Sequence, residues 1–127
     1  MEPTSVNPPA MSKPGGHYSH AVVHAGVAYV SGQLPIASEG PLPVSASFEQ
    51  QARQVLANVR AAVEGAGSDL SRVLKCTVYV TDLGDWPEFN RLYAEVFGAH
   101  KPARAIVPVS PLHYGYRLEM DAIAAVD

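Results

Sequence analysis

This chain has one cysteine, few aromatic residues and a small net charge, and each of these features excludes a class of protein. Cysteine occurs once, at Cys76 within an apolar run, so a single chain cannot form a disulfide framework. Aromatic residues make up 8% of the chain and the formal net charge is -3, so neither a stacking platform nor a basic field favours nucleic acid as a partner. No segment approaches the roughly 18 apolar residues of a membrane span. We therefore expect a cytoplasmic protein with neither a membrane nor a nucleic-acid partner.

The rest of the composition is typical of one folded domain. The chain has 127 residues, of which 47% are hydrophobic, so it can bury a core without disulfides or metals. Its first 16 residues are rich in Pro, Ser and Gly and have no hydrophobic period or signal-peptide core, which predicts a flexible N-terminal arm over 1–16. Residues 17–127 are predicted to form a single domain.

Hydrophobic periodicity in the first half predicts a hairpin followed by a helix. Two short β-type runs between His20 and Pro35 flank Ala25-Gly26, a pair typical of a tight turn. Ser47 and Gln50 have the form of a capping box, and apolar residues then recur at steps of three and four. This pattern predicts an amphipathic helix that ends near the glycines at 65 and 67.

The second half predicts a strand, a helix and two more strands. Residues 73–81 are rich in β-branched and aromatic side chains, and Asp85 precedes Trp86-Pro87-Glu88 as a helix start. The helix should stop at Gly98, and strands over 103–109 and 116–126 should form a hairpin. The order ββαβαββ indicates an α+β fold with a mixed sheet and both helices on one face.

Two charges in the last two strands do not fit a plain core pattern: Arg104 and Glu119. A guanidinium can bind a small carboxylate through two parallel hydrogen bonds, and a carboxylate can hold or activate a water. The alternative is an ordinary cross-strand ion pair, which would stabilise a hairpin by at most about 1 kcal/mol. The residues alone favour the two interpretations about equally.

Alternation along the last strand separates its two faces. Leu118, Met120, Ala122 and Ala124 point one way and Glu119 points the other. Arg104 and Ile106 likewise share one face of their strand. If the helices cover the Leu118 side, Glu119 lies on the uncovered face of the sheet, where a partner subunit could dock. We therefore expect a site at a subunit boundary.

Several segments together resemble the Rid family of enamine/imine deaminases. They span nearly everything after Gly16, and their order and spacing make the resemblance more specific than any single motif. The segments are Tyr18-Ser19-His20-Ala21, YVSGQLP from Tyr29, the stretch from Gln51 to Asp82, FNRLYAEVF, PAR ending at Arg104, and LEMDAIA from Leu118.

This resemblance implies a chorismate-mutase-like fold, a homotrimer with sites between subunits, and no cofactor or metal. It also implies hydrolysis of reactive imines and enamines such as 2-aminoacrylate to a 2-keto acid and ammonia. Arg104 matches the family arginine that binds the substrate carboxylate, and Glu119 the glutamate that positions the attacking water. Tyr18, Ser31 and Asn90 match site-lining positions, although each residue alone fits a structural role equally well.

Two positions depart from the best-known relatives. Ile106 stands where many relatives have cysteine and is expected to form a pocket wall, and His20 replaces a common glutamine. His17, His20 and His24 raise the alternative of a metal site, but alternation divides them between two faces, and local hydrogen bonding is the better interpretation. His113 is a further candidate for substrate contact.

Two other classes of function stay open at this point. The first is a non-catalytic ligand-binding or chaperone-like protein on the same scaffold. The second is RNA cleavage, which is reported for some relatives and which the acidic charge balance disfavours.

Overall fold

The computed structural model describes residues 2–127 as a six-stranded sheet with two helices packed on one face. The strands lie in the order β1-β2-β3-β8-β6-β7, and only the β6–β7 pair is parallel. In chain order the elements are β1 Thr4–Val6, β2 Ala21–His24, β3 Val27–Gln33, β4 Ile36–Ala37, β5 Gly40–Pro41, α1 Phe48–Gly65, β6 Val73–Val80, α2 Trp86–Phe97, β7 Ala103–Pro108 and β8 Leu118–Ala125. The predicted α+β fold is confirmed, with β1 and the small β4–β5 hairpin as additions.

The first helix begins where the sequence predicts. Ser47 accepts a hydrogen bond from the Gln50 backbone N–H, and the Gln50 side chain accepts one from the Ser47 backbone, so the capping box is complete. The turn at Ala25-Gly26 is also confirmed, because both residues have positive φ, 52° and 79°, as a two-residue hairpin turn requires.

The core lies between the helices and the sheet. The inward side chains of β8 are those that alternation predicts, and Cys76, which β6 contributes, is fully buried as a small hydrophobe. The buried apolar residues that β8 and the two helices contribute are Leu118, Met120, Ala122, Ala124, Phe48, Ala52, Val55, Leu56, Val59, Ala62, Val63, Phe89, Leu92, Tyr93 and Phe97.

The prediction that the last two strands form a hairpin is wrong. Strand β6 lies between β7 and β8, pairing parallel with β7 and antiparallel with β8. The connection from 109 to 117 therefore crosses the end of β6, where Val109 N–H donates to the Val80 carbonyl and Thr81 N–H donates to the Arg117 carbonyl. Helix α2 leads directly into the strand parallel to β6, so β7 takes the sheet edge and β8 takes the centre.

The second correction concerns the N-terminal segment, for which ordered structure was expected only from His17. Residues Thr4–Val6 form β1, which pairs antiparallel with β2. Asn7 Oδ1 accepts a hydrogen bond from His20 N–H at 2.9 Å, and the Pro8 ring lies against Gly65 at the end of α1. A segment without a hydrophobic period can pair through its backbone hydrogen bonds alone. Hydrophobic periodicity therefore does not predict this edge strand.

Asp85 also behaves differently from the expected helix cap. It occupies the N-cap position of α2 but makes no side-chain cap hydrogen bond. Its carboxylate instead accepts a 2.6 Å hydrogen bond from Arg117, just before β8. The N-terminus of α2 is thereby joined to the central strand of the sheet.

The opposite face of the sheet carries no helix among residues 2–127. Tyr29 is 52% exposed there, and Tyr79, Glu119 and Asp121 alternate with the inward residues of β6 and β8. No helix in this part of the chain combines the length and apolar composition that crossing a membrane requires.

Candidate functional site

Arg104 extends along a stripe of side chains on α2. Its guanidinium carbon lies 4.8 Å from the centroid of the Trp86 ring and 4.7 Å from that of Tyr93, so both aromatic rings hold the cation. Nη1 donates to Asn90 Oδ1 at 3.1 Å. The three helix residues are spaced i, i+4 and i+7, which places them on one face of α2. We call Arg104, Asn90, Trp86 and Tyr93 the arginine half-site.

The arginine half-site borders a cavity of about 470 Å³ between α2 and the start of β7. Two of the five nitrogen–hydrogen groups of a guanidinium suffice for a carboxylate, and Asn90 engages only one nitrogen. The rings fix the plane of the guanidinium, so its remaining donors point in defined directions. This arrangement can bind a carboxylate that enters from the cavity.

Ile106 lies on the same face of β7 as Arg104, as alternation predicts. It pairs with Val78 of β6 and packs, partly buried, against the hydrophobic core. Its side chain therefore supports the strand that carries Arg104, and it is not among the residues that line the cavity next to Arg104.

Glu119 lies on the uncovered face of the sheet, directly over Gly32. A Cβ at position 32 would overlap Glu119 Oε2, so only glycine leaves room for this carboxylate. The register between β3 and β8 shifts in this region, between Val30 and Gln33, which is the bulge or close approach that a glycine in a strand indicates. We call Glu119, Gly32, Ser31 and Tyr18 the glutamate half-site.

Burial raises the pKa of Glu119, and two neighbours act on it in opposite directions. The charge of His113 lowers the Glu119 pKa, and that of Asp121, two residues along the same face of β8, raises it. A carboxylate whose pKa is raised toward neutrality is a better proton acceptor than an exposed one. The predicted candidate His113 is thus electrostatically linked to Glu119.

Ser31 and Tyr18 lie beside Gly32. The Ser31 hydroxyl donates to the Ser19 carbonyl at 2.6 Å, and its backbone N–H donates to the His20 carbonyl at 2.9 Å, which ties β3 to the Tyr18–His20 segment. The Tyr18 ring is half exposed and lines the same cavity as Gly32. Ser31 therefore positions this segment, and Tyr18 presents its ring to the cavity.

The two half-sites face opposite sides of one sheet. Along β6, Arg104 pairs with Cys76, which is buried under the helices, and Glu119 pairs with Tyr79, which points to the uncovered face. No ion pair joins Arg104 and Glu119 within residues 2–127, and β6 separates their strands. The hairpin ion pair weighed from the sequence is therefore ruled out, and one chain does not bring the two residues together.

The histidine segment has a local hydrogen-bonding role at His20. The ring accepts a hydrogen bond at Nδ1 from the Gln33 amide at 3.2 Å and donates from Nε2 to the Ser12 carbonyl at 2.7 Å. An amide nitrogen can only donate and a carbonyl can only accept, so the ring is the neutral Nε2–H tautomer. Within residues 2–127 no group of three or more His, Cys, Asp or Glu side chains is arranged to hold a metal ion.

Comparison with known proteins identifies the family. The profile of the family described as Endoribonuclease L-PSP matches residues 9–126. A RutC family protein of Pyrococcus horikoshii is 42% identical over 112 residues, which are 88% of this chain and 89% of the relative. The chain belongs to this family, the group of Rid and RutC proteins.

Solved structures agree with the assignment to the Rid group. A protein of the conserved Rid family from Yersinia pestis superimposes with a TM-score of 0.93 at 33% identity, over 98% of this chain and all of that one. E. coli TdcF, solved with bound serine, gives a TM-score of 0.91 at 32% identity, over 98% of this chain and 99% of the other. The resemblance read from the sequence is thereby confirmed at the level of family and fold.

Sequence reasoning missed the aromatic rings around the Rid-family arginine. Trp86 was interpreted only as part of the helix start, and Tyr93 only as part of the FNRLYAEVF segment, so neither ring was placed at the site. The Tyr93 hydroxyl is buried without an oxygen or nitrogen partner among the described residues and lies beside the Cys76 thiol, and burial raises its pKa. Tyr93 therefore connects the core to the arginine half-site.

Proposed function

We propose that this protein hydrolyses reactive 2-imino acids and their enamine tautomers, of the 2-aminoacrylate type, to 2-keto acids and ammonia. The observation that carries this proposal is Arg104, which two aromatic rings and Asn90 contact and which lines a cavity. Such a guanidinium suits the carboxylate that every 2-imino acid carries. Serine bound to the similar protein TdcF is consistent with an amino-acid-like ligand on this fold.

The chemistry needs little beyond alignment and one base. The protonated imine carbon is electrophilic, so a water held by Glu119 adds its oxygen to that carbon while its proton passes to the carboxylate. Glu119 then returns its proton to the nitrogen of the carbinolamine, the C–N bond breaks and ammonia leaves. The hydroxyl proton passes to Glu119 and from there to solvent as the keto group forms. The raised pKa of Glu119 suits this exchange of protons. No cofactor is needed for a hydrolysis of this kind.

We further propose that the working site lies between two copies of the chain in a homo-oligomer, expected to be a trimer. The arginine and glutamate half-sites face opposite sides of one sheet, so a substrate that touches both requires two chains. The uncovered face of the sheet, with its half-exposed Tyr29, is suited to such packing.

The direct test uses imines generated in situ by an amino-acid oxidase and trapped with semicarbazide. The protein should accelerate keto-acid release, and Arg104→Ala should lose about 100-fold or more of the rate, because the substrate is no longer aligned. Arg60→Ala is the matched control, since Arg60 is exposed and paired only with Glu64 on the surface of α1. A full rate with Arg104→Ala contradicts the role of Arg104. No hydrolysis of any imine would favour a binding protein on the same scaffold.

A further inference from the structure

A second cavity begins at the glutamate half-site and extends away from it. Its volume is about 730 Å³, and Gly32 and Tyr18 of the glutamate half-site are among the residues that line it. A three-carbon imino acid would fill only a small part of that space. We call this cavity the side-chain pocket, because Gly32 both lies under the Glu119 carboxylate and lines the cavity, so a substrate held at Glu119 has space here for its side chain.

Most walls of the side-chain pocket are apolar. Ile36, Leu42 and Val44 come from the segment that contains the β4–β5 hairpin, and the ring of Tyr114 comes from the loop that precedes β8. This composition matches the usual make-up of a small-molecule site, in which apolar walls provide most of the contact area.

The buried polar side chains that line the pocket are already hydrogen-bonded within the protein. Both ring nitrogens of His20 have partners, the Gln33 amide donates to His20 and to the Ser31 carbonyl, and the Tyr116 hydroxyl donates to the Leu42 carbonyl at 2.6 Å. The charged lining residues, Lys13 and Glu39, have opposite signs. The pocket therefore offers no unpaired buried group that would reward a polar substrate side chain.

The backbone of the 113–115 loop is held in a conformation that places an aromatic ring here. Tyr114 has a φ of 64° and Gly115 a φ of 80°, and Tyr114 is not a residue that adopts this region without cost. The same loop carries His113, whose charge acts on Glu119. One short loop thus contributes both a charged neighbour of Glu119 and an aromatic wall of the side-chain pocket.

From these observations we infer that the preferred substrates are 2-imino acids with large apolar side chains, branched aliphatic or aromatic, with the side chain in this pocket. The inference rests on the proposed function and specifies its substrate class. Val44 is the most useful residue for a test, because its side chain lines the pocket, is 55% exposed and lies near Gly115 of the 113–115 loop. A substitution there should not disturb the core.

The test compares imines made in situ from alanine, leucine and phenylalanine. The leucine and phenylalanine imines should be hydrolysed with kcat/KM about tenfold or more above the alanine imine. Val44→Asp should lower the leucine-to-alanine ratio about tenfold, because a charge now lines the pocket, and Val44→Leu should keep the ratio. Leu83→Asp, at a position that is also 55% exposed but lies outside the pocket and outside the sheet, is the control for adding a surface carboxylate.

The outcomes separate the two proposals. If none of the three imines is hydrolysed, the proposed function fails. If all are hydrolysed but the alanine imine is fastest, or if Val44→Asp leaves the ratio unchanged, the substrate class is wrong and the deaminase function stands.

Discussion

Gly32 leaves no room for a side chain beneath the carboxylate of Glu119. A Cβ at position 32 would overlap Oε2 and approach the carboxyl carbon and Cγ of the same residue. The glutamate cannot stay in place if residue 32 is anything but glycine, and it is half buried against the sheet with its pKa raised. The position of the proposed base, Glu119, thus depends on residue 32 having no side chain.

We therefore expect Gly32→Ala to lower imine hydrolysis by about tenfold or more, because the displaced carboxylate no longer holds the water in line. The φ of Gly32 is not in the left-handed region, so alanine is tolerated by the backbone itself. Arg60→Ala is the control, since Arg60 lies on the exposed surface of α1, away from both half-sites. Equal activity of the two variants, measured with the same imine, would show that Glu119 is not held by Gly32.

Trp86→Ala should raise KM for imino acids more than it lowers kcat. The indole holds one side of the Arg104 guanidinium, and a partly exposed cation–π contact contributes about 0.5–2 kcal/mol, so kcat/KM should fall by about 3- to 30-fold. Trp86→Phe keeps an aromatic face and should restore most of the loss. Steady-state kinetics with a single imine measures both constants. An unchanged KM in Trp86→Ala would mean that Tyr93 and Asn90 alone orient the arginine.

The pH dependence of hydrolysis should respond to the neighbours of Glu119 in opposite directions. Because burial raises the pKa of Glu119, the rate should fall as the pH decreases through a range above that of an ordinary carboxyl group. The charge of His113 lowers this pKa, so His113→Gln should move the acid limb to higher pH. The charge of Asp121 raises it, so Asp121→Asn should move the limb to lower pH.

Profiles of kcat/KM against pH for the wild type and the two variants give the comparison, because any ionisation of the substrate is common to all three. Shifts of both variants in the same direction would contradict the assignment of the acid limb to Glu119.

The raised pKa of Glu119 also makes the stability of the fold depend on pH. The contribution of Glu119 to the free energy of unfolding is greatest below the ordinary pKa of a glutamate and is lost as the pH rises through the raised value. The free energy of unfolding of Glu119→Gln, relative to that of the wild type, should therefore be higher at neutral pH than in acid.

The ion pair between Arg117 and Asp85 should contribute to stability more than the surface pairs do. Asp85 is 8% exposed and its second carboxylate oxygen has no partner among the described residues, so removing Arg117 leaves a buried charge unpaired. Arg117→Met should lower the free energy of unfolding by about 1–3 kcal/mol, a value limited by the partial exposure of the arginine. Denaturant titration measures this, and Arg60→Met is the surface control.

The double variant with Asp85→Ala should be less destabilised than the sum of the two single variants, because the unpaired carboxylate is then absent. Strict additivity would show that the two side chains act independently despite their 2.6 Å contact.

The sequence predicted those elements whose signals are local. The capping box at Ser47, the turn at Ala25-Gly26 and the inward face of β8 all depend on residues a few positions apart. The pairing of β7 was mispredicted because strand order depends on which strands meet across the sheet. The six residues 110–115 can connect two neighbouring strands of a hairpin as well as two strands on either side of β6. The β1 pairing was missed for the same reason, since it is long-range and carries no apolar pattern.

The sequence named the residues of the candidate site but did not predict how the fold arranges them. Alternation placed Arg104 with Ile106 and Glu119 opposite the core, but only the position of β6 between their strands shows that the two half-sites lie on opposite faces. The aromatic rings around Arg104 were missed because each ring also fits the helix that carries it. Contacts of a side chain with a distant strand are set by the packing angle of α2, which no periodicity in α2 itself encodes.

Co-expression of two inactive variants gives the sharpest test of the intersubunit site. Arg104→Ala and Glu119→Gln should each be inactive alone as homo-oligomers. If each site takes Arg104 from one chain and Glu119 from another, mixed oligomers contain some sites with both residues intact, so the co-expressed sample should recover part of the wild-type rate. The expectation follows from the sheet itself, because Cys76 and Tyr79 of β6 place the two residues on opposite faces. Mixing the two purified homo-oligomers immediately before the assay is the control and should show no recovery. A co-expressed sample that forms mixed oligomers, verified by two different affinity tags, yet stays inactive would place both residues in a site made by one chain.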